Sequence, residues 1–183
     1  MTGKPGLGGR CADLLPVTAV DTALGRPIIG KTSDILGIAE PNIGRLTYLN
    51  CRYGVPAPVK GKPAAAPQVE IGISLYKSLD QAARRVAGTV QDYRGHGSNE
   101  QVIAIGQYSG SILIGYGAPT LVIAAGPRTV AITIDAKLVA TAPSSALTAL
   151  AKVALDATAG YTGAPGEGAI SSSAGGSPSA SSS

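Results

Sequence analysis

The sequence predicts an α+β domain in which an antiparallel sheet of five or six strands carries helices packed mainly on one face. Two observations predict this class. Between Val69 and Tyr76, apolar residues alternate with polar or small ones, which is the pattern of a half-buried strand. From Gln101 to Leu138, short apolar segments are separated by Gly and Pro turns that are too short to join parallel strands. At 183 residues, the chain has the length of one domain with flexible ends.

The first predicted elements are a short helix and a long strand. A helix fits Pro16 to Leu24, because its apolar residues recur on one face and Gly25 followed by Pro27 ends it. The stretch 26–44 is broken by Pro and Gly, and we expect a long loop there. Residues 45–55 form the next strand, and 56–67 is a polar excursion with four prolines.

The remaining predicted elements follow the alternating strand 69–76. Ser78 and Gln81 have the spacing of a capping box and predict a helix from there to about Arg94. The last helix covers about 143–159, with Gly160 as its stop. Between these helices we expect strands at 102–105, 111–116, 120–125 and 129–138.

Composition divides the chain into three parts and limits its function. We expect a flexible leader at 1–10, a single domain at 11–160 and a disordered Ser, Gly, Ala and Pro tail at 161–183, which cannot bury enough apolar surface to fold. Net charge is +4, and there is no Trp or Phe, so a nucleic-acid partner is not expected. No apolar run reaches the roughly 18 residues that span a bilayer.

One segment matches a phosphate-binding motif. Gly25 to Thr32 satisfies the pattern GxxxxGK[ST], which cradles phosphates when it joins a buried strand to a helix. Here a helix precedes the segment, and Gly37 and Pro41 interrupt any helix after it. A nucleotide-binding enzyme that uses this loop is therefore kept as an alternative, and a plain helix stop is favoured.

The sequence offers no catalytic or metal site. His96 is the only histidine and lies in a Gly-flanked turn, where a rigid triad base is not expected. The acidic residues show no metal-ligand or paired-carboxylate spacing. Cys11 and Cys51 are either two buried free thiols or a disulfide, which their context favours. We therefore expect that the protein is not an enzyme and that it binds neither a metal nor a cofactor.

The chain also resembles a known family. Cys11-Ala-Asp-Leu-Leu leads into a short helix closed by Ala23-Leu24-Gly25, and the strand Cys51-Arg-Tyr53 follows 40 positions after Cys11. With its order of elements, the chain resembles an uncharacterised domain family of actinobacterial secreted lipoproteins. The resemblance implies a Cys11–Cys51 disulfide and a cell-envelope location. Because Arg10 precedes the cysteine, any membrane tether through lipid belongs to a segment outside this chain.

The favoured function is a non-catalytic secreted or cell-envelope domain that binds a partner protein or a small apolar ligand. The strands between 111 and 125 are apolar at nearly every position, so Leu113 and Val122 fall on a second sheet face. We expect a binding patch there, with Tyr116 at its rim, unless the loops 26–44 or 56–67 cover it. A further alternative is the extracellular sensor domain of a larger receptor.

Overall fold

The computed structural model describes residues 7, 9–139 and 142–161, and it contains one antiparallel sheet of seven strands with helices on both of its faces. The helices are α1 (Cys11–Leu14), α2 (Val17–Leu24), α3 (Leu79–Gly95) and α4 (Pro143–Ala157), with short 3-10 turns at Pro41–Ile43 and Ala136–Leu138. The strands are β1 (Lys31–Gly37), β2 (Arg45–Val55), β3 (Val69–Tyr76), β4 (Asn99–Ile105), β5 (Tyr108–Ile114), β6 (Thr120–Ala125) and β7 (Arg128–Ile134).

The fold class is confirmed, but the sheet has seven strands instead of five or six. The additional strand is β1, which lies inside the predicted loop 26–44 and pairs with β2 at the edge of the sheet. Both of its faces are largely open to solvent, with Ile35 48% and Leu36 63% exposed. A strand without a buried face has no reason to alternate, so the sequence carried no strand pattern there.

The strand order is β1-β2-β3-β7-β6-β5-β4, and every pair of neighbours is antiparallel. The turns predicted between β4, β5, β6 and β7 produce a meander of hairpins. The chain enters that meander only after crossing the sheet through α3, so β7 returns to lie beside β3. This return brings residues that are far apart in the sequence, such as Gly72 and Ala131, into direct register.

Helices cover both faces of the sheet, three on one face and one on the other. Helices α1, α2 and α4 cover the core face, where the odd-numbered residues of β3 and the even-numbered residues of β7 are buried. Helix α3 alone covers part of the other face, called here the α3 face, through contacts with β6 and β7. The prediction of helices mainly on one face holds for three of four, but the longest helix lies opposite.

A disulfide closes the N-terminal end of the core. Cys11 in α1 is bonded to Cys51 in β2, both residues are 0% exposed, and their Cα atoms are 5.5 Å apart. Leu7, within the predicted leader, is also buried at 2% exposure and joins this cluster. The predicted tail beyond Tyr161 lies outside the described residues.

Tyr53 joins the same region from the strand side. Its hydroxyl donates a 2.6 Å hydrogen bond to the carbonyl of Leu15, between α1 and α2, and the side chain is fully buried. Burial raises the pKa of the Tyr53 phenol above its ordinary value of 10.0, because the interior disfavours the phenolate. The hydrogen bond therefore persists at every pH at which the protein is normally handled.

Tyr53→Phe should lower the free energy of unfolding by about 1 to 2 kcal/mol at pH 7, because the Leu15 carbonyl loses a buried donor. A raised folded-state pKa gives stability that is complete below the unfolded value near 10.0 and is lost as the pH rises above it. The stability gap between wild type and variant should therefore narrow above pH 10. Urea midpoints at pH 7, 9 and 11 measure it, and a gap that widened with pH would contradict the assignment.

Candidate functional site

The α3 face carries a groove between α3 and the strands β2, β3 and β7. Four small residues form its floor and explain why the surface is low there. Gly72 in β3 lies directly opposite Ala131 in β7, and Ser74 lies opposite Thr129. The groove, called here the α3 groove, holds about 320 Å³. That volume lies at the small end of ligand sites.

Larger side chains form the walls of the α3 groove. On the helix side, Arg85 and Thr89 are one turn apart and face the groove together, with Val86 between them. Helix α3 begins directly after Ser78, as the capping box predicts, because the Ser78 hydroxyl accepts a hydrogen bond from the Gln81 amide. The cap fixes the start of α3, and the packing of Val90 on Leu113 and Val122 fixes which side of the helix faces the sheet.

On the sheet side, Tyr48 forms the opposing wall. Its ring lies beside Gly72, where an added Cβ would come within 3.3 Å of the ring, and beside Gly37 of β1, where the distance would be 2.7 Å. Glycine at both positions lets the ring lie flat along the sheet. The guanidinium of Arg45 stacks over the same ring, 5.1 Å from its centroid, and pairs with the carboxylate of Glu40.

One buried donor at the α3 groove has no partner within the described protein. The Nε–H of Arg45 is buried and has no hydrogen-bond partner among the described residues. Ser74 and Thr129, which are 6% and 8% exposed, add two hydroxyls to the groove floor. Buried polar groups are normally satisfied, so a donor left open beside a hollow indicates a place for a bound molecule or water.

Tyr48 places a hydrogen-bond donor in this wall. Burial raises the pKa of its phenol, the charge of Glu70 raises it further, and the charge of Arg45 partly offsets both. The phenol is therefore neutral at physiological pH and keeps its O–H for a ligand. Glu70 is itself held by Asn50, whose Nδ2 donates to it over 2.7 Å.

A second hollow of about 340 Å³ adjoins the α3 groove and shares Tyr76 and Arg85 with it. Arg84 and Gln81 of α3 line it together with Asn42, which precedes β2. Neither Arg84 nor Arg85 makes an ion pair with any described residue. The two adjoining hollows are together called the cleft.

The predicted ligand patch is not open. Leu113 is 0% exposed and Val122 is 3% exposed, because Val90 of α3 packs directly on them. They do lie on the second sheet face, as predicted, but α3 and not a loop covers them. Val122 still contributes to the wall of the α3 groove.

Tyr116, predicted at the rim of that patch, is 46% exposed and lies at the other end of α3. Its ring stacks on His96 at 4.6 Å and meets Tyr93 edge-on at 5.9 Å. His96 is exposed, and its Nδ1 lies 2.8 Å from the carbonyl oxygen of Asp92 in the preceding helical turn. The three predicted residues therefore do not form one site.

The segment Gly25–Thr32 does not have the geometry of a phosphate loop. Gly25 caps the C-terminus of α2 in the left-handed conformation, with φ of 67°. Lys31 then begins the edge strand β1, where a phosphate loop requires the N-terminus of a helix. The nucleotide alternative loses its structural basis, and the segment is a helix stop followed by a strand.

Metal-binding clusters and membrane-spanning helices are both absent from the described part of the chain. No cluster of three or more His, Cys, Asp or Glu residues there is arranged to hold a metal ion. No helix there has the length and apolar character needed to cross a bilayer.

One sequence feature indicates the groove independently of the apolar periodicity, namely small residues on the second face of the sheet. On strand 69–76, the positions between the apolar residues include Gly72 and Ser74, which are small instead of charged. Small residues on a face that should meet solvent indicate that something packs closely there. Thr129 and Ala131 repeat this pattern in β7.

The likeness of this chain to known proteins is weak and structural. No family model matches it, and no curated protein matches it. Among solved structures, the extracellular domain of PknH from Mycobacterium tuberculosis is similar at 12% sequence identity, with a TM-score of 0.44, over 79% of this chain and 94% of that one. The fold and the groove together define a disulfide-linked α+β domain with an open hollow beside one helix.

Proposed function

We propose that this chain is a non-catalytic domain of a secreted or cell-envelope protein and that it binds a small ligand in the α3 groove. The observation that carries the proposal is the buried Nε–H of Arg45 at the groove wall, which has no hydrogen-bond partner among the described residues. A narrow hollow with fixed walls suits a small molecule better than a protein surface, which would need a far larger contact area.

The disulfide supports a secreted or cell-envelope location. Disulfides persist in oxidising compartments and are rare in the cytosol, and the Cys11–Cys51 bond is fully buried in the core. The same pairing supports membership in the domain family of actinobacterial secreted lipoproteins, which implies a bond between these two cysteines. Ligand binding in the α3 groove would serve a free-standing envelope domain or the extracellular sensor domain of a larger receptor.

Filling the groove tests the proposal. Ala131 lies on the groove floor and is exposed, so Ala131→Phe should occupy the hollow without disturbing the core. A small-molecule fragment library screened by NMR should give hits that shift the amide signals of Gly72 and Ser74. These hits should lose at least about tenfold in affinity in Ala131→Phe, because the added ring takes their place.

The matched control is Ala104→Phe, which adds the same ring at an exposed position of β4 on the far side of α3. Its melting temperature and fragment affinities should match those of wild type. Hits that survive in Ala131→Phe but disappear in Ala104→Phe would place the ligand on the other flank of α3 and contradict the proposal.

A further inference from the structure

We infer that the ligand of the α3 groove is a small organic anion, held through a carboxylate or phosphate group. The inference rests on the proposed function and adds the chemical class of the ligand. It replaces the small apolar ligand expected from the sequence.

The cleft carries a surplus of positive charge. Arg45, Arg84 and Arg85 line its two hollows, and among the described acids only Glu40 pairs with one of them, Arg45. Arg85 extends from α3 over the groove with no ion pair to a described residue. Arginine's planar fork of donors matches a carboxylate or a phosphate, so an unpaired arginine at a hollow favours those groups.

Arg45 is held in place before any ligand arrives. The Glu40 carboxylate and the Tyr48 ring fix its guanidinium, whose side chain is 15% exposed. Its Nε–H remains buried, with no partner in the described part of the chain. This donor is already oriented and dehydrated, so binding an acceptor requires little further loss of water or of conformational freedom. An anionic acceptor gains most from such a donor, because its hydrogen bond is charge-assisted.

The other groups at the groove complete a set that is rich in donors. The Tyr48 phenol is protonated, and the hydroxyls of Ser74 and Thr129 can donate from the floor. Of the acids near this wall, Glu40 is occupied by Arg45, and Glu70 accepts from Asn50. An apolar ligand would cover these donors without satisfying them, which is unfavourable.

Three probes with the same phenyl ring distinguish the effect of ligand charge from the effect of ligand shape. Benzoate, phenyl phosphate and benzamide share the ring, and only the first two are anions. Titrated at constant ionic strength into the ¹⁵N-labelled full chain, the two anions should shift the amides of Gly72, Ser74, Thr129 and Ala131, and benzamide should bind at least about tenfold more weakly. Charge-assisted hydrogen bonds have that magnitude.

Arg85→Gln should weaken both anions at least about tenfold, because its charge-assisted hydrogen bonds to the ligand are lost. Arg85 is exposed, so the replacement should leave the protein folded. Lys152→Gln is the matched control, since it removes one exposed charge from α4 on the opposite face. Its affinities should equal those of wild type. Equal weakening by both variants would mean general charge attraction and would overturn the inference.

The remaining outcomes separate the two proposals. Benzamide binding in the α3 groove as tightly as benzoate would overturn the anionic ligand and leave the proposed binding function standing. If none of the three probes shifts the groove amides and the fragment screen gives no groove hit, both proposals are overturned together.

Discussion

The double variant Leu113→Ser, Val122→Ser should be less stable than wild type by at least about 5 kcal/mol, enough to unfold a domain of ordinary stability. Both side chains are buried between the sheet and α3, where Val90 packs on them. Each substitution removes apolar contacts, leaves a cavity and buries a hydroxyl. Because these residues fasten α3 to its face of the sheet, the loss should also release the wall of the α3 groove.

The measurement is urea unfolding followed by circular dichroism, with the single variants alongside the double one. Val102→Ser is the matched control, because Val102 lies in the neighbouring strand β4 and is 66% exposed. It should change the free energy of unfolding by about 1 kcal/mol or less. A double variant that melts within a few degrees of wild type would mean that α3 does not cover this face.

Three strands with a buried face were predicted at their observed bounds, whereas β5, expected at 111–116, lies at Tyr108–Ile114, and β7, expected at 129–138, ends at Ile134. Strands β2, β3 and β6 have the bounds expected from the sequence, because each either alternates or stands between strong turn residues. Helix α3 begins after Ser78, where the capping box placed it. Strand β1 was missed because its two exposed faces leave no period to detect.

The candidate site depends on pairings that local sequence does not encode. The apolar stripe of α3 states which side of the helix is buried, but it does not state which face of the sheet receives it. Likewise, the floor of the groove exists only because β7 returns to lie beside β3, which brings Gly72 opposite Ala131. Such a long-range register follows from the whole topology and not from local sequence. For the same reason, Leu113 and Val122 were assigned to the correct sheet face, but a loop was expected to cover them where α3 does.

Removing the Cys11–Cys51 disulfide should lower the free energy of unfolding by about 4 kcal/mol, because the bond closes a loop of 40 residues and limits the freedom of the unfolded chain. In the folded protein, the bond holds α1 against β2 beside the Tyr53–Leu15 hydrogen bond. Its loss should therefore loosen the N-terminal end of the core first and leave the α3 groove, on the other face, largely intact.

Urea unfolding with and without a phosphine reductant measures the effect. The double variant Cys11→Ala, Cys51→Ala is the matched control, because it should resemble the reduced protein and should not respond to reductant. In both, the groove amides Gly72 and Ser74 should keep their native chemical shifts below the unfolding transition. If intact mass after alkylation shows two modified thiols without reductant, the bond is absent from the protein, and its support for an extracytoplasmic location is lost with it.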